Sequence, residues 1–151
     1  SAVVKHCLQW LAKHSCQVDY ACCIYATAPF LQTKFLKQGF EHLVKAGTSL
    51  AFSVTPYPFP IQRAVRINKD GFVEAVYPEN ISKRSQDLEE IYHDAGQFYW
   101  GTSEAFLNNV VTFSKASTPV ISPHYLVQDI DTLEDWYRAE LMYTALQNYK
   151  V

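Results

Sequence analysis

From Ala2 to His14, apolar side chains recur at Val3, Val4, Cys7, Leu8, Trp10 and Leu11, with Lys5, Gln9 and Lys13 between them. Spacing of three and four residues predicts an amphipathic helix. After Asp19 the pattern changes to an unbroken apolar run, Tyr20 to Tyr25, which reads as a strand covered on both faces, a kind that usually belongs to a parallel sheet. A second helical period, Phe35, Leu36, Phe40, Leu43 and Val44, lies within Thr33 to Lys45, and Gly47 provides a stop. Ser49 to Thr55 is a further strand. Strand, helix and strand in alternation imply right-handed crossovers and an α/β sandwich.

The middle of the chain breaks this rhythm. Thr55-Pro56-Tyr57-Pro58-Phe59-Pro60 is too proline-rich for a central strand. Lys69-Asp70-Gly71 then separates two alternating runs, as in a β-hairpin. An arm over about residues 56–90, leaving a core that otherwise spans 1–151 as a single domain, is the expectation, and arms of this kind often pair subunits. Beyond it, Thr102 can cap a short helix through Ala105 to Asn108. A last strand is expected at about Tyr125 to Ile130, leading into a helix from Thr132 to about Leu146.

Composition narrows the function. The chain has 151 residues, 48% of them hydrophobic, and a formal net charge of −2. That is enough apolar material for a substantial core, without the broad basic face that nucleic acid or an anionic membrane would need. No apolar run reaches the roughly 20 residues of a membrane span, so a cytoplasmic protein is expected. Cys7, Cys16, Cys22 and Cys23 form no zinc pattern and read as reduced core thiols, with Cys22 and Cys23 on opposite faces of their strand. The only methionine is Met142, so Ser1 is expected to follow processing or truncation.

Three stretches could carry chemistry. In Val127-Gln128-Asp129-Ile130-Asp131-Thr132, a strand continuing through Asp131 would put Asp129 and Asp131 on one face, at the carboxyl end of a strand, where α/β folds bind ligands. Two carboxylates there suit Mg²⁺ and a nucleoside triphosphate. A capping box from Asp131 or Thr132 to Glu134 or Asp135 explains the same residues and is compatible with metal binding. Tyr25-Ala26-Thr27-Ala28-Pro29-Phe30 is a turn of small residues in which Thr27 offers a hydroxyl and Ala28 an accessible backbone, although a plain connecting loop would look alike. Finally, Lys83-Arg84-Ser85-Gln86-Asp87-Leu88 and His93-Asp94-Ala95-Gly96-Gln97 combine anion-binding and sugar-binding types, or simply form a solvated loop.

In this order the pieces resemble the cytidylyltransferases that activate nonulosonic acids, the CMP-sialic acid synthetase group. Its Gln-Pro-Thr-Ser-Pro-Leu turn is matched at Tyr25 to Phe30, keeping Thr27 and Pro29. Its Arg-Gln-Asp-Leu element is matched by Ser85-Gln86-Asp87-Leu88, with Arg84 adjacent. Its Asn-Gly-Ala-hydrophobic-Tyr element is matched by Asp94 to Tyr99, and its Asp-x-Asp by Asp129 and Asp131. The wording from Tyr92 to Gly101 is closer to the pseudaminic acid branch.

The resemblance implies a nucleotide-diphospho-sugar transferase-like, Rossmann-like sandwich with a mostly parallel sheet, here lacking the first βαβ unit and its triphosphate loop. It implies transfer of CMP from CTP to a nine-carbon keto sugar acid with release of pyrophosphate. Mg²⁺ would be held by Asp129 and Asp131, which are also the catalytic residues. Thr27, Ala28, Arg84, Gln86, Asp94, Gly96 and Gln97 would bind nucleotide or sugar, and the hairpin would be the arm of a homodimer. Two alternatives stay open: a non-catalytic dimeric binding module of the same fold, and a sialic acid or Kdo cytidylyltransferase.

Overall fold

The computed structural model describes residues 2–149. The chain forms α1 (Ala2–Lys13), β1 (Tyr20–Ile24), α2 (Thr33–Ala46), β2 (Leu50–Pro56), β3 (Val65–Ile67), β4 (Val73–Ala75), β5 (Tyr92–Thr102), α3 (Ser103–Leu107), β6 (Ser117–Ile121) and α4 (Leu133–Tyr149). Four strands make one sheet in the order β1-β5-β2-β6. β5 runs antiparallel to both β1 and β2, and β2 is parallel to β6. Three of the four strands therefore point the same way, an α/β arrangement compatible with the Rossmann-like fold expected, and because β5 runs between β1 and β2 the sheet is parallel only in part, at β2–β6.

Each face of the sheet has its own apolar cluster. On one, Phe30, Phe35, Phe98, Val120, Leu126 and Ala139 bring α2 and α4 onto the strands. On the other, Leu8, Leu50, Ala105 and Phe106 seat α1 and α3. The Trp100 indole donates to the Leu36 carbonyl at 2.9 Å, fastening β5 to α2. Gly47 ends α2 in the left-handed region at φ 63°, and the Thr102 hydroxyl accepts from the Ala105 N–H at 3.1 Å to cap α3, both as the sequence indicates.

Several details differ from expectation. Residues 127–131 form no strand: a 3₁₀ turn at His124–Leu126, started by Pro123, leads into irregular backbone before α4. The strand lies earlier, at β6, where Pro119 hides it in the sequence. Proline is tolerated there because β6 is an edge strand, and β2 alone needs its ladder. β1 is the opposite edge and is half-buried, with Ile24 52% exposed, so its apolar run is not covered on both faces among the described residues.

All four cysteines are free, but Cys7 and Cys16 are exposed and only Cys22 and Cys23 are partly buried. Cys22 packs against the α2/α4 side and Cys23 lines a cavity on the other, so the pair does straddle the sheet. Burial, and then Cys23 beside it, push the Cys22 thiol up to about 12.

The arm leaves the sheet after β2 and returns at β5. Its neck is closed by the Tyr57 N–H donating to the Ile91 carbonyl at 3.1 Å. Within it, β3 and β4 pair antiparallel around Asn68 to Phe72, with Asn68 accepting from the N–H groups of Asp70 and Phe72. This is the hairpin that Lys69-Asp70-Gly71 signalled, with shorter strands.

Gly39 shows how closely α2 lies on the sheet. A Cβ there would fall 2.7 Å from the Phe98 ring and 2.9 Å from that of Trp100. Gly39→Val is expected to cost about 1–3 kcal/mol by overpacking, read as a lower urea midpoint with an unchanged m-value.

Candidate functional site

β1, β2 and β6 end on the same side of the sheet, and β5 begins there. The backbone at this end is irregular for a specific reason. Between the pairs Phe52–Tyr99 and Val54–Asp94, β2 contributes only Ser53 while β5 contributes Ala95 to Phe98. Gly96 takes up the excess with φ 62°. The buried Ser53 hydroxyl faces the N–H groups of Gln97 and Phe98 at 3.4 Å each. This is a β-bulge, a device that re-aims side chains at the end of a strand.

The bulge fixes Asp94. One carboxylate oxygen accepts from the Gly96 N–H at 2.9 Å and the other from the Tyr99 hydroxyl at 2.5 Å. Burial, and then the hydrogen bond to Asp94, hold the Tyr99 phenol well above its ordinary value, so it stays a donor. Asp94 then borders an open cleft of about 520 Å³ with Tyr25 from the end of β1, Asp129 from the loop before α4, and Arg138 from α4. Gly96 is also part of this wall, and a Cβ on it would stand 3.4 Å from a carboxylate oxygen of Asp129.

The loop carrying Asp129 is fastened at both ends. Gln97, only 2% exposed, does not open onto the cleft: its amide donates to the Leu126 carbonyl at 2.6 Å. Gln128 donates to the Asp129 carbonyl at 2.7 Å and to Asp135 at 3.3 Å. Thr132 and Asp135 form a reciprocal capping box. The Thr132 hydroxyl accepts from the Asp135 N–H at 3.2 Å, and Asp135 accepts from the Thr132 N–H at 2.9 Å. The Thr132 hydroxyl, followed by its N–H, keeps the Asp135 carboxyl below its ordinary value.

The structure therefore brings together only part of the residues singled out in the sequence. Asp94, Gly96 and Asp129 share the cleft. Asp131 is exposed two residues beyond, outside the cleft lining, with its side chain not consumed by the helix cap. Thr27 and Ala28 lie in the turn after Tyr25, at the same end of the sheet. Arg84 and Gln86 are on the arm. Arg84 is paired bidentately with Asp87 at 2.8 and 3.0 Å, and Gln86 lines a separate, smaller hollow beside Tyr57 and Gln62.

The sequence reading did not single out Tyr25, Tyr99 or Arg138 as site residues. Tyr99 had a signal, since it closes the element beginning at Asp94. Tyr25 and Arg138 had none beyond their elements. Among the described residues no group of three or more His, Cys, Asp or Glu is gathered as a metal cage. The carboxylates of Asp129 and Asp131 are nonetheless hard oxygen donors, and Mg²⁺ takes one or two of these, completing its shell with water and substrate phosphate.

No protein-family model matches the chain. Among curated proteins, the pseudaminic acid cytidylyltransferases of two Campylobacter jejuni strains are each 38% identical to it over 143 residues, which is 95% of this chain and 62% of theirs. A Helicobacter pylori protein named pseudaminic acid cytidylyltransferase and UDP-2,4-diacetamido-2,4,6-trideoxy-beta-L-altropyranose hydrolase is 35% identical over 113 residues, 74% of this chain and 22% of that protein. The chain thus spans 62% of the length of the Campylobacter relatives it matches.

Gly96→Ala tests the bulge. A left-handed φ costs an L-residue about 1–2 kcal/mol, and the added methyl would press on Asp129. Lower stability by that amount in urea titration is expected, with an altered chemical environment at Asp129 in carboxylate-resolved NMR.

Proposed function

The chain belongs by sequence with the pseudaminic acid cytidylyltransferases, and from that premise we propose that it forms part of an enzyme transferring CMP from CTP to a nonulosonic acid, pseudaminic acid first. The observation that carries this reading is the cleft at the carboxyl ends of the co-directional strands, where Asp94 and Asp129 stand together.

In this reaction the anomeric hydroxyl oxygen of the sugar loses its proton to water and bonds to the α-phosphorus of CTP, the bond from that phosphorus to the α–β bridging oxygen breaks, and pyrophosphate departs with the oxygen. Asp129 and Asp131 would hold Mg²⁺, which when bound neutralises charge on the phosphoryl oxygens. Asp94, already fixed by Tyr99 and Gly96, keeps lone pairs free to accept from a sugar hydroxyl. Tyr25 lines the cleft as an aromatic wall beside Tyr99, their ring centroids 5.3 Å apart. Thr27 and Ala28 flank that wall and would meet the nucleotide or sugar. Among the described residues no helix is long and apolar enough to cross a membrane, and use of CTP would suit a cytoplasmic location.

Pyrophosphate release with CTP, Mg²⁺ and pseudaminic acid tests this, on the chain itself and on the longest product of its gene. Asp129→Asn and Asp131→Asn are each expected to lower the rate about 100-fold or more. Release that neither substitution affects, or no release with any nonulosonic acid, overturns the reading.

We also propose that the arm joins two copies of the chain. On β3 and β4, Val65, Ile67 and Val73 share one face of the ribbon and are exposed, Ile67 to 76% and Val73 to 69%, while Arg66 and Glu74 pair at 3.1 Å on the other. An apolar ribbon face left in water fits a second copy. Ile67→Lys together with Val73→Glu is expected to convert a dimer into a monomer in sedimentation velocity; native protein that is already monomeric at tens of micromolar, on the order of ordinary working concentrations, sinks the proposal.

A further inference from the structure

The cleft has two aspartates, and the substrates proposed for it are anions. Asp94 and Asp129 both line it, so an acidic sugar entering it meets like charge unless a cation faces it. The positive side chains elsewhere are engaged or distant. Arg84 is held by Asp87, Arg66 by Glu74, Lys5 donates to the Leu107 carbonyl, and Lys34 lies over the Phe35 ring. Arg138 is different: it lines the cleft, and none of the ion pairs among the described residues uses it, although two carboxylates border the same space. Among the described residues it is the only Lys or Arg in that lining.

We infer that Arg138 is the specificity residue of the cleft, receiving the carboxylate of the sugar acid on its guanidinium. This rests on the cytidylyltransferase reading and adds to it the group that separates an acidic from a neutral sugar. The chemistry fits. A guanidinium offers a planar fork of donors matched to a carboxylate, and stays charged at every working pH. Arg138 follows Asp135 by three residues on α4, so the capping box that anchors the start of the helix also sets the origin of this side chain. Phosphate charge would have another neutraliser in a Mg²⁺ ion held by Asp129 and Asp131. For the sugar carboxylate, Arg138 is the one permanently charged cation in the lining among the described residues, beside the imidazoles of His93 and His124.

The test is calorimetric titration of the protein and of its Arg138→Gln and Arg138→Lys variants with three probes: pseudaminic acid, its methyl ester, and CTP with Mg²⁺. Native protein is expected to bind the acid about tenfold or more tightly than the ester, the range of a charged hydrogen bond. Arg138→Gln is expected to bring the acid down to the level of the ester while leaving ester and CTP unchanged. Arg138→Lys is expected to restore part of the loss, since charge returns without the fork.

A loss shared equally by acid and ester would make Arg138 a shape-keeping residue and overturn the inference. So would a loss confined to CTP, which would make it a phosphate contact, or no loss at all. If native protein binds neither CTP nor the sugar acid, the cytidylyltransferase reading fails first and this inference with it. Binding of both by native protein, with unchanged acid affinity in Arg138→Gln, sinks the Arg138 role alone.

Discussion

At Gly96 the backbone of β5 turns to φ 62°, and Asp94 closes that turn by accepting from the Gly96 N–H. Three features of the cleft depend on this. The extra residues let β5 keep pairing with β1 and β2 on either side while pointing Asp94 out of the sheet. The missing Cβ leaves room for the Asp129 carboxylate against the strand. The same displacement places Gln97 underneath, where its amide holds the Leu126 carbonyl and so the loop that bears Asp129.

Sheet direction explains why the cleft collects these residues. β1, β2 and β6 deliver their carboxyl ends to one side, and β5, running the other way, delivers its beginning. Three segments distant in sequence thus contribute Tyr25, Asp94 and, from the loop into α4, Asp129 and Arg138. The arm departs from that same end, after β2 and before β5, which keeps its charged residues off the sheet and lets Arg84 settle on Asp87. The cleft is left acidic apart from Arg138, and its histidines, His93 and His124, face it from the strand end and from the turn after β6.

Features legible in the sequence are those decided within a turn or two of chain. α1 and α2 follow from apolar spacing, the stop at Gly47 from its left-handed tolerance, the cap at Thr102 and the start of α4 near Thr132 from hydroxyl chemistry, and the hairpin from Lys69-Asp70-Gly71. What failed depends on neighbours. Pro119 argues against a strand until β6 is seen to lie at an edge, and Tyr20 to Ile24 reads as doubly covered although β1 is the opposite edge. Asp94, Gly96 and Asp129 could be reached through a family pattern. Arg138 could not, because its relation to Asp94 is created by the topology and by nothing in its own segment.

The irregular path from Val127 to Thr132 also changes what Asp129 and Asp131 can do. On a strand their common face would come from pleating alone. Here pleating sets no common face, Asp129 lining the cleft and Asp131 lying outside it, and the segment is held by Gln97 on Leu126 at one end and by Gln128 together with the Thr132–Asp135 cap at the other. Because Asp135 takes over the helix cap, the Asp131 carboxylate is not drawn into it. The N-terminus of α4 is meanwhile the positive end of a 17-residue helix, a field that favours charged carboxylates and anionic substrate oxygens beside it. The helix cap at this sequence is thus made by Thr132 and Asp135, and it leaves the Asp129 and Asp131 carboxylates outside it.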